Sequence, residues 1–172
     1  EKLFDKSGTI ARSGEVNIPI LKKALENFYS NFIRGKRSYD VSDFDLSFVK
    51  YLSIEDGAAT LTEFTADIII NKMLMDIDKI DNSIDIYTSM SKNNIYICGG
   101  GRKNQFLIER IKFCSERVKT EHKINIIDDL GIDGDFIESQ AFAYLAIRSY
   151  LGLPISFPET TGCKRPTTGG VI

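Results

Sequence analysis

The sequence predicts an α/β fold class, rich in helix with a small parallel layer, and three observations carry that reading. Two short β-rich runs, Ile95 to Cys98 and Lys123 to Ile127, are too short for helices and are bounded by turn residues. Each is followed by a helical pattern, and a strand, helix, strand, helix order favours parallel pairing. Between the first run and its helix stand Gly99, Gly100 and Gly101, where the backbone can take conformations closed to other residues.

The elements follow in order. Glu1 to Gly8 reads as a helix end and a turn with no initiator Met, the start of a piece of a longer chain. Asn17 can cap a helix with Pro19 in its first turn, and Ile18, Leu21, Leu25, Phe28 and Phe32 recur at helical intervals to about Ile33. Gly35 to Phe48 is polar and irregular. Its Asp40, Asp43 and Asp45 fail the EF-hand pattern, because the sixth and twelfth positions from Asp40 hold Asp45 and Tyr51 rather than Gly and Glu. Ser53 with Asp56 opens a long helix to about Asp76, whose face carries Leu61, Phe64, Ile68 and Met75. Thr60, Thr62, Glu63 and Thr65 lie close to that stripe, and threonine hydroxyls there can bond back to the preceding turn. A loop is expected from Asp76 to Asn94. After the glycines, Asn104 to about Arg117 places Leu107, Ile111 and Cys114 on one stripe. Asp135 is placed to cap a last helix carrying Ala141, Phe142, Leu145 and Ala146, which Gly152 and Pro154 stop. The tail from Pro154 reads as an ordered surface connection anchored by Ile155, Phe157 and Val171.

Two places invite chemistry. A strand, a glycine turn and a helix N-terminus together suit an anion or nucleotide, because the first helical N–H groups are unpaired. The same three glycines also make an ordinary tight turn, and neither a full dinucleotide fingerprint nor a Walker loop is present. Glu138, in the first turn of the last helix, is set toward the edge of the layer where ligands gather in α/β sheets. Helix electrostatics alone would also favour it there.

Composition narrows the class. With 172 residues, 42% hydrophobic and 27% charged, and a formal net charge of −2, the chain matches an ordinary soluble globular domain. Lys and Arg are scattered, so no basic face argues for nucleic acid. No apolar run approaches the ~20 residues that cross a bilayer, and no signal-peptide layout is present, so a cytoplasmic address without membrane contact is the default. Cys98, Cys114 and Cys163 are odd in number with no close pair, which argues against a disulfide framework or a zinc site. His122 has no neighbouring His or Cys in sequence and reads as a loop residue.

Several stretches together resemble the C-terminal half of the anhydro-N-acetylmuramic acid kinases, of the actin-like (ribonuclease H-like) superfamily. The matching words are Phe4-Asp5-Lys6-Ser7-Gly8 with Ala11 and Gly14; Glu55 to Ala66; Cys98-Gly99-Gly100-Gly101 with Asn104; and Gly134 to Glu138 through Ala141-Phe142-Ala143-Tyr144-Leu145-Ala146. Gly152-Leu153-Pro154, Ser156-Phe157-Pro158, Thr160-Thr161-Gly162 and the closing Thr168-Gly169-Gly170 extend the likeness nearly end to end. The resemblance implies an actin-like ATPase lobe with an incomplete sheet, residues 1–172 being the nucleotide-side lobe of a two-lobed kinase. It implies an enzyme that uses ATP and Mg²⁺, the metal held mainly through phosphates, to open 1,6-anhydro-N-acetylmuramic acid hydrolytically and phosphorylate its 6-oxygen in peptidoglycan recycling. Gly99, Gly100, Gly101 and Asn104 would then lie against the adenosine, and Glu138 would face the sugar.

Such enzymes also carry a Gly-Thr-Ser-Met-Asp-Gly loop and an Asp-Thr-Gly-Pro loop whose Asp activates the water. Neither string occurs here, so the catalytic base is expected upstream, in an N-terminal part that would be this lobe's partner. At Arg37-Ser38-Tyr39-Asp40-Val41 the chain also departs from the family's Lys-Ser turn with its following basic residue, a charge that Val41 cannot offer. A homodimer is compatible with the resemblance. The competing reading is an inactive split or degenerate remnant that serves as a nucleotide or protein binding module.

Overall fold

The computed structural model describes residues 4–31, 41–80, 94–118 and 122–169. The sequence predicts a helix ending near Gly8, but the described residues from Phe4 onward start one. The Asp5 carboxylate accepts the N–H groups of Ile10 and Ala11 at 2.9 Å, groups that have no partner inside a helix, and launches α1 (Thr9–Ser13). Asn17 caps α2 (Ile18–Asn31) as predicted, its side-chain oxygen accepting from the N–H of Ile20 at 3.1 Å. Phe32 and Ile33 lie outside the described residues, as does the first part of the irregular Gly35 to Phe48 stretch. From Val41 that stretch forms two short 3-10 turns, at Val41–Asp43 and Ser47–Val49.

The longest element is α3 (Ile54–Ile80), which starts with the Ser53 hydroxyl accepting from the N–H of Asp56 at 3.0 Å and runs past the predicted end at Asp76. Thr62 and Thr65 return their hydroxyls to the carbonyls of Ala58 and Leu61, both at 2.8 Å, as expected for threonines in a helix. Thr60 does something different. It is fully buried, and its hydroxyl accepts from the backbone N–H of Asn17 at 3.0 Å, which fixes the start of α2 against α3.

Two hydrophobic clusters form on α3. Phe64 and Ile68 pack with Leu21, Ala24 and Phe28 of α2. Ala66 and Ile70 pack with Ile108, Ile111 and Cys114 of α4 (Gln105–Arg117) and with Ile124 of the sheet. The predicted stripe on α4 holds at Ile111 and Cys114, with Leu107 only partly buried and Ile108 completing the face. The sheet is β1 (Asn94–Ile97) and β2 (Lys123–Ile126), parallel as predicted, in register from Asn94 opposite Lys123 to Ile97 opposite Ile126. With α4 as its crossover this is a βαβ unit, so both strands end at the same edge.

At that edge the chain enters α5 (Ile137–Tyr150). No described residue of α5 is buried, and Phe142, Ile147 and Tyr150 are 65%, 60% and 75% exposed. The helix stops as predicted, Leu153 N–H donating to the carbonyl of Arg148 at 2.8 Å. The tail is ordered by a short helix, α6 (Pro158–Thr161), and an antiparallel bridge between Ser156 and Thr167. Val171 lies outside the described residues. Among the described residues no helix is long and apolar enough to cross a membrane.

Candidate functional site

The glycine turn follows β1 directly. Gly99 takes φ +77°, a left-handed conformation that L side chains rarely adopt, and the chain then winds through a 3-10 turn at Gly100–Lys103 before α4. A Cβ built on Gly99 or Gly100 would meet nothing within 4 Å, so this stretch of backbone is open to an approaching group. Asn104 has a structural task here. Its side-chain oxygen accepts from the N–H of Leu107 at 3.0 Å and caps α4, and the same carboxamide lies against the backbone of Gly8.

Beside the turn stands a charge cluster that sequence reasoning missed. The Arg102 side chain is only 5% exposed. Its guanidinium grips Asp128 with two parallel bonds, Nε to Oδ2 at 2.6 Å and Nη2 to Oδ1 at 3.0 Å. Nη1 donates to Asp135 Oδ1 at 2.6 Å and to the carbonyl of Gly99 at 3.0 Å, and Asp133 lies 3.6 Å from Nη2. Lys103 reaches the other oxygen of Asp135 at 2.5 Å. Asp135 was expected to cap α5; the residue before that helix is Phe136, which supplies no side-chain cap, and the Asp135 carboxylate is drawn to the two cations instead. The hydrogen bond from Arg102 holds Asp128 below the usual carboxylate range, and those from Lys103 and then Arg102 do the same for Asp135. The two bonded carboxylates in turn raise the already high pKa of Arg102.

These contacts bring three segments to one edge: the end of β1, the end of β2 and the approach to α5. Gly99 N–H also donates to the carbonyl of Gly134 at 3.2 Å. Glu138 follows in the first turn of α5 and is exposed. The sequence signal for the cluster was present in Arg102 directly behind the glycines and in Asp128-Asp129 closing β2. Nothing in spacing said that they meet.

The arrangement limits what the turn can bind. Three carboxylates, Asp128, Asp133 and Asp135, surround two cations whose charge they already engage. That balance disfavours a phosphate and leaves open space beside the backbone of Gly99 and Gly100.

A second polar cluster is buried between α3 and α4. Glu63 and Asp67, with side chains 5% and 7% exposed, meet Arg110 and Arg117: Arg110 Nε lies 2.5 Å from Glu63, and Arg117 bonds Asp67. Burial raises the pKa of Asp67, opposed by the charge of Arg117. Cys114 lies against the same carboxylates, and burial followed by the Glu63 charge pushes its thiol up to about 12. Glu63, Asp67 and Cys114 are close enough to share a cation, but the two guanidinium groups already neutralise the carboxylates. Elsewhere, a cavity of about 550 Å³ opens between α2 and α3, with Phe28, Phe48 and Phe64 in its wall and Lys23, Asp43 and Asp45 among its polar groups. None of the residues proposed from sequence as site residues lines it.

The βαβ unit with its glycine turn defines the general class, a helix-rich α/β chain with a small parallel sheet. Comparison with known proteins is more specific. All of residues 1–172 match the family model described as anhydro-N-acetylmuramic acid kinase, and the chain belongs to that family. It is 47% identical over 98% of its length to the anhydro-N-acetylmuramic acid kinase of Pelagibacter ubique (strain HTCC1062), covering 42% of that relative. The like-named proteins of Zymomonas mobilis and Agrobacterium fabrum are 36% and 35% identical over 98% and 99% of the chain, covering 41% and 42% of theirs. The chain thus spans about two fifths of the length of the curated relatives it matches.

Proposed function

We propose that this chain forms the C-terminal, nucleotide-side lobe of an actin-like, ATP-dependent kinase acting on 1,6-anhydro-N-acetylmuramic acid in the cytoplasm. The observation that carries the reading is the family match across residues 1–172. Water opens the anhydro bridge, the freed 6-oxygen takes the terminal phosphoryl group of ATP, and ADP leaves. In this reading the backbone of Gly99, Gly100 and Gly101 meets the adenosine, Asn104 holds the start of α4 beside it, and Glu138 faces the sugar.

The open backbone at Gly99 and Gly100 and the acidic surroundings of Arg102 suit the nucleoside end of ATP. The phosphates belong elsewhere, with Mg²⁺ held through them, since Glu63 and Asp67 are engaged by arginines. Phosphoryl transfer depends on positioning and charge stabilisation, so the water-activating base and the first phosphate loop come from the remaining part of the polypeptide. That part also supplies the cover for α5, whose apolar residues are exposed here.

The test is an assay of a full-length enzyme carrying these residues, with ATP, Mg²⁺ and the anhydro sugar, following ADP release and the 6-phosphorylated product. Formation of both in equal amounts supports the reading. ATP binding without either product would favour the inactive binding module instead.

A further inference from the structure

Three consecutive glycines are a costly way to build a binding surface. Glycine loses more conformational freedom on ordering than any other residue, and a loop that is ordered only by its ligand spends binding energy on that ordering. In this chain the turn is ordered from both sides of Gly99. Its N–H donates to the carbonyl of Gly134, and its carbonyl accepts from both the backbone N–H of Arg102 at 3.3 Å and Arg102 Nη1 at 3.0 Å. The guanidinium is also bonded to Asp128 and Asp135, so the carbonyl is held by a group that is itself tied to two carboxylates.

Gly134 shows how closely the clamp is fitted. A Cβ there would lie 2.5 Å from Arg102 Nε, 2.8 Å from its Cζ and 2.8 Å from Ile127 Cγ2. The absence of a side chain at Gly134 is what lets the guanidinium occupy this space. With its donors turned to carboxylates and a carbonyl, Arg102 is also not the residue that would meet a phosphate.

We infer that Arg102 is a positioning residue for the nucleotide: its guanidinium, admitted by Gly134, fixes the Gly99 carbonyl and presents the glycine turn to the adenosine in a preformed shape. This rests on the reading of the turn as the nucleotide contact, and the experiment separates the two. A lysine cannot reproduce the forked geometry, because it offers one point charge in place of a planar set of donors.

The test uses a full-length enzyme carrying these residues, with Arg102→Lys, Gly134→Ala and Gly100→Val compared at a temperature where each is folded. Arg102→Lys and Gly134→Ala raise the KM for ATP and the dissociation constant for ADP about tenfold, while the KM for the sugar stays where it was. Amide exchange at Gly99 to Gly101 accelerates in both. An unchanged ATP KM in folded Arg102→Lys, with Gly100→Val weakening ATP, overturns the role of Arg102 and leaves the turn as the contact. Nucleotide binding untouched by Gly100→Val overturns the reading of the turn itself, and the inference with it. ATP and sugar KM rising together would make Arg102 a general structural support, which also overturns it.

Discussion

Arg110 on α4 meets Glu63 on α3 at 2.5 Å, and the carboxylate it meets is almost wholly removed from water. Removing one partner of such a pair leaves the other charge buried without compensation. Arg110→Ala therefore lowers stability by about 3 kcal/mol, the low end for a buried pair because Arg117 still stands 3.7 Å from the Glu63 carboxylate. Replacing both by apolar residues of similar volume costs less than either single change. Urea unfolding of the two single variants and the double variant measures both statements.

Cys114 provides a chemical probe of the same interface. A move from the ordinary 9.0 to about 12 cuts its thiolate population about a thousandfold near neutral pH. Cys98, by contrast, is exposed at the end of β1. Alkylation followed by mass spectrometry should label Cys98 in the native protein and leave Cys114 unmodified until urea opens the contact between α3 and α4.

Acid should loosen the Arg102 cluster. Asp128 and Asp135 have folded-state pKa values depressed below the ordinary 3.8, so their stabilising contribution is complete above that value and is lost as pH falls through the depressed ones. Asp67 acts in the opposite sense: its pKa is raised, so its contribution is complete below 3.8 and is lost as pH rises through the higher value. Thermal melts of the wild type and Asp128→Asn across the acid range should show a shallower acid limb in the variant.

Glu138→Gln in a full-length enzyme should lower turnover while leaving ATP affinity intact. The charge at the helix start is worth only ~0.3–1 kcal/mol, so folding is little affected. Turnover per folded molecule equal to wild type would assign Glu138 to helix stability alone.

The 172 residues expressed alone should self-associate and show no anhydro-sugar kinase activity. Among the described residues the sheet has two strands, a layer that is marginal by itself, and α5 exposes Phe142, Tyr144, Ile147 and Tyr150. Light scattering across a concentration series measures association, and covalent addition of the remaining part should abolish it.

Local signals in the sequence were read well where one side chain decides one element. Asn17 and Ser53 cap their helices, and the parallel pairing followed from the order of segments. Asp135 was misread because a capping carboxylate and a salt-bridging one look alike in sequence, and only the fold decides which donors come within reach. Arg102 escaped notice for a related reason. Its partners stand 26 and 33 positions further along, and their meeting depends on the two strands ending at one edge. The polarity at Glu63 was visible, but the arginines that answer it lie on another helix.

The position of α3 between two clusters has a consequence for how the chain opens. Phe64 and Ile68 belong to the packing with α2, Ala66 and Ile70 to the packing with α4, and two consecutive turns of one helix cannot unwind for one partner while staying folded for the other. Amide exchange in α2, the middle of α3 and α4 should therefore slow together as one cooperative unit. The α5 amides, with no buried residue to share in it, should exchange by local opening at lower free energy.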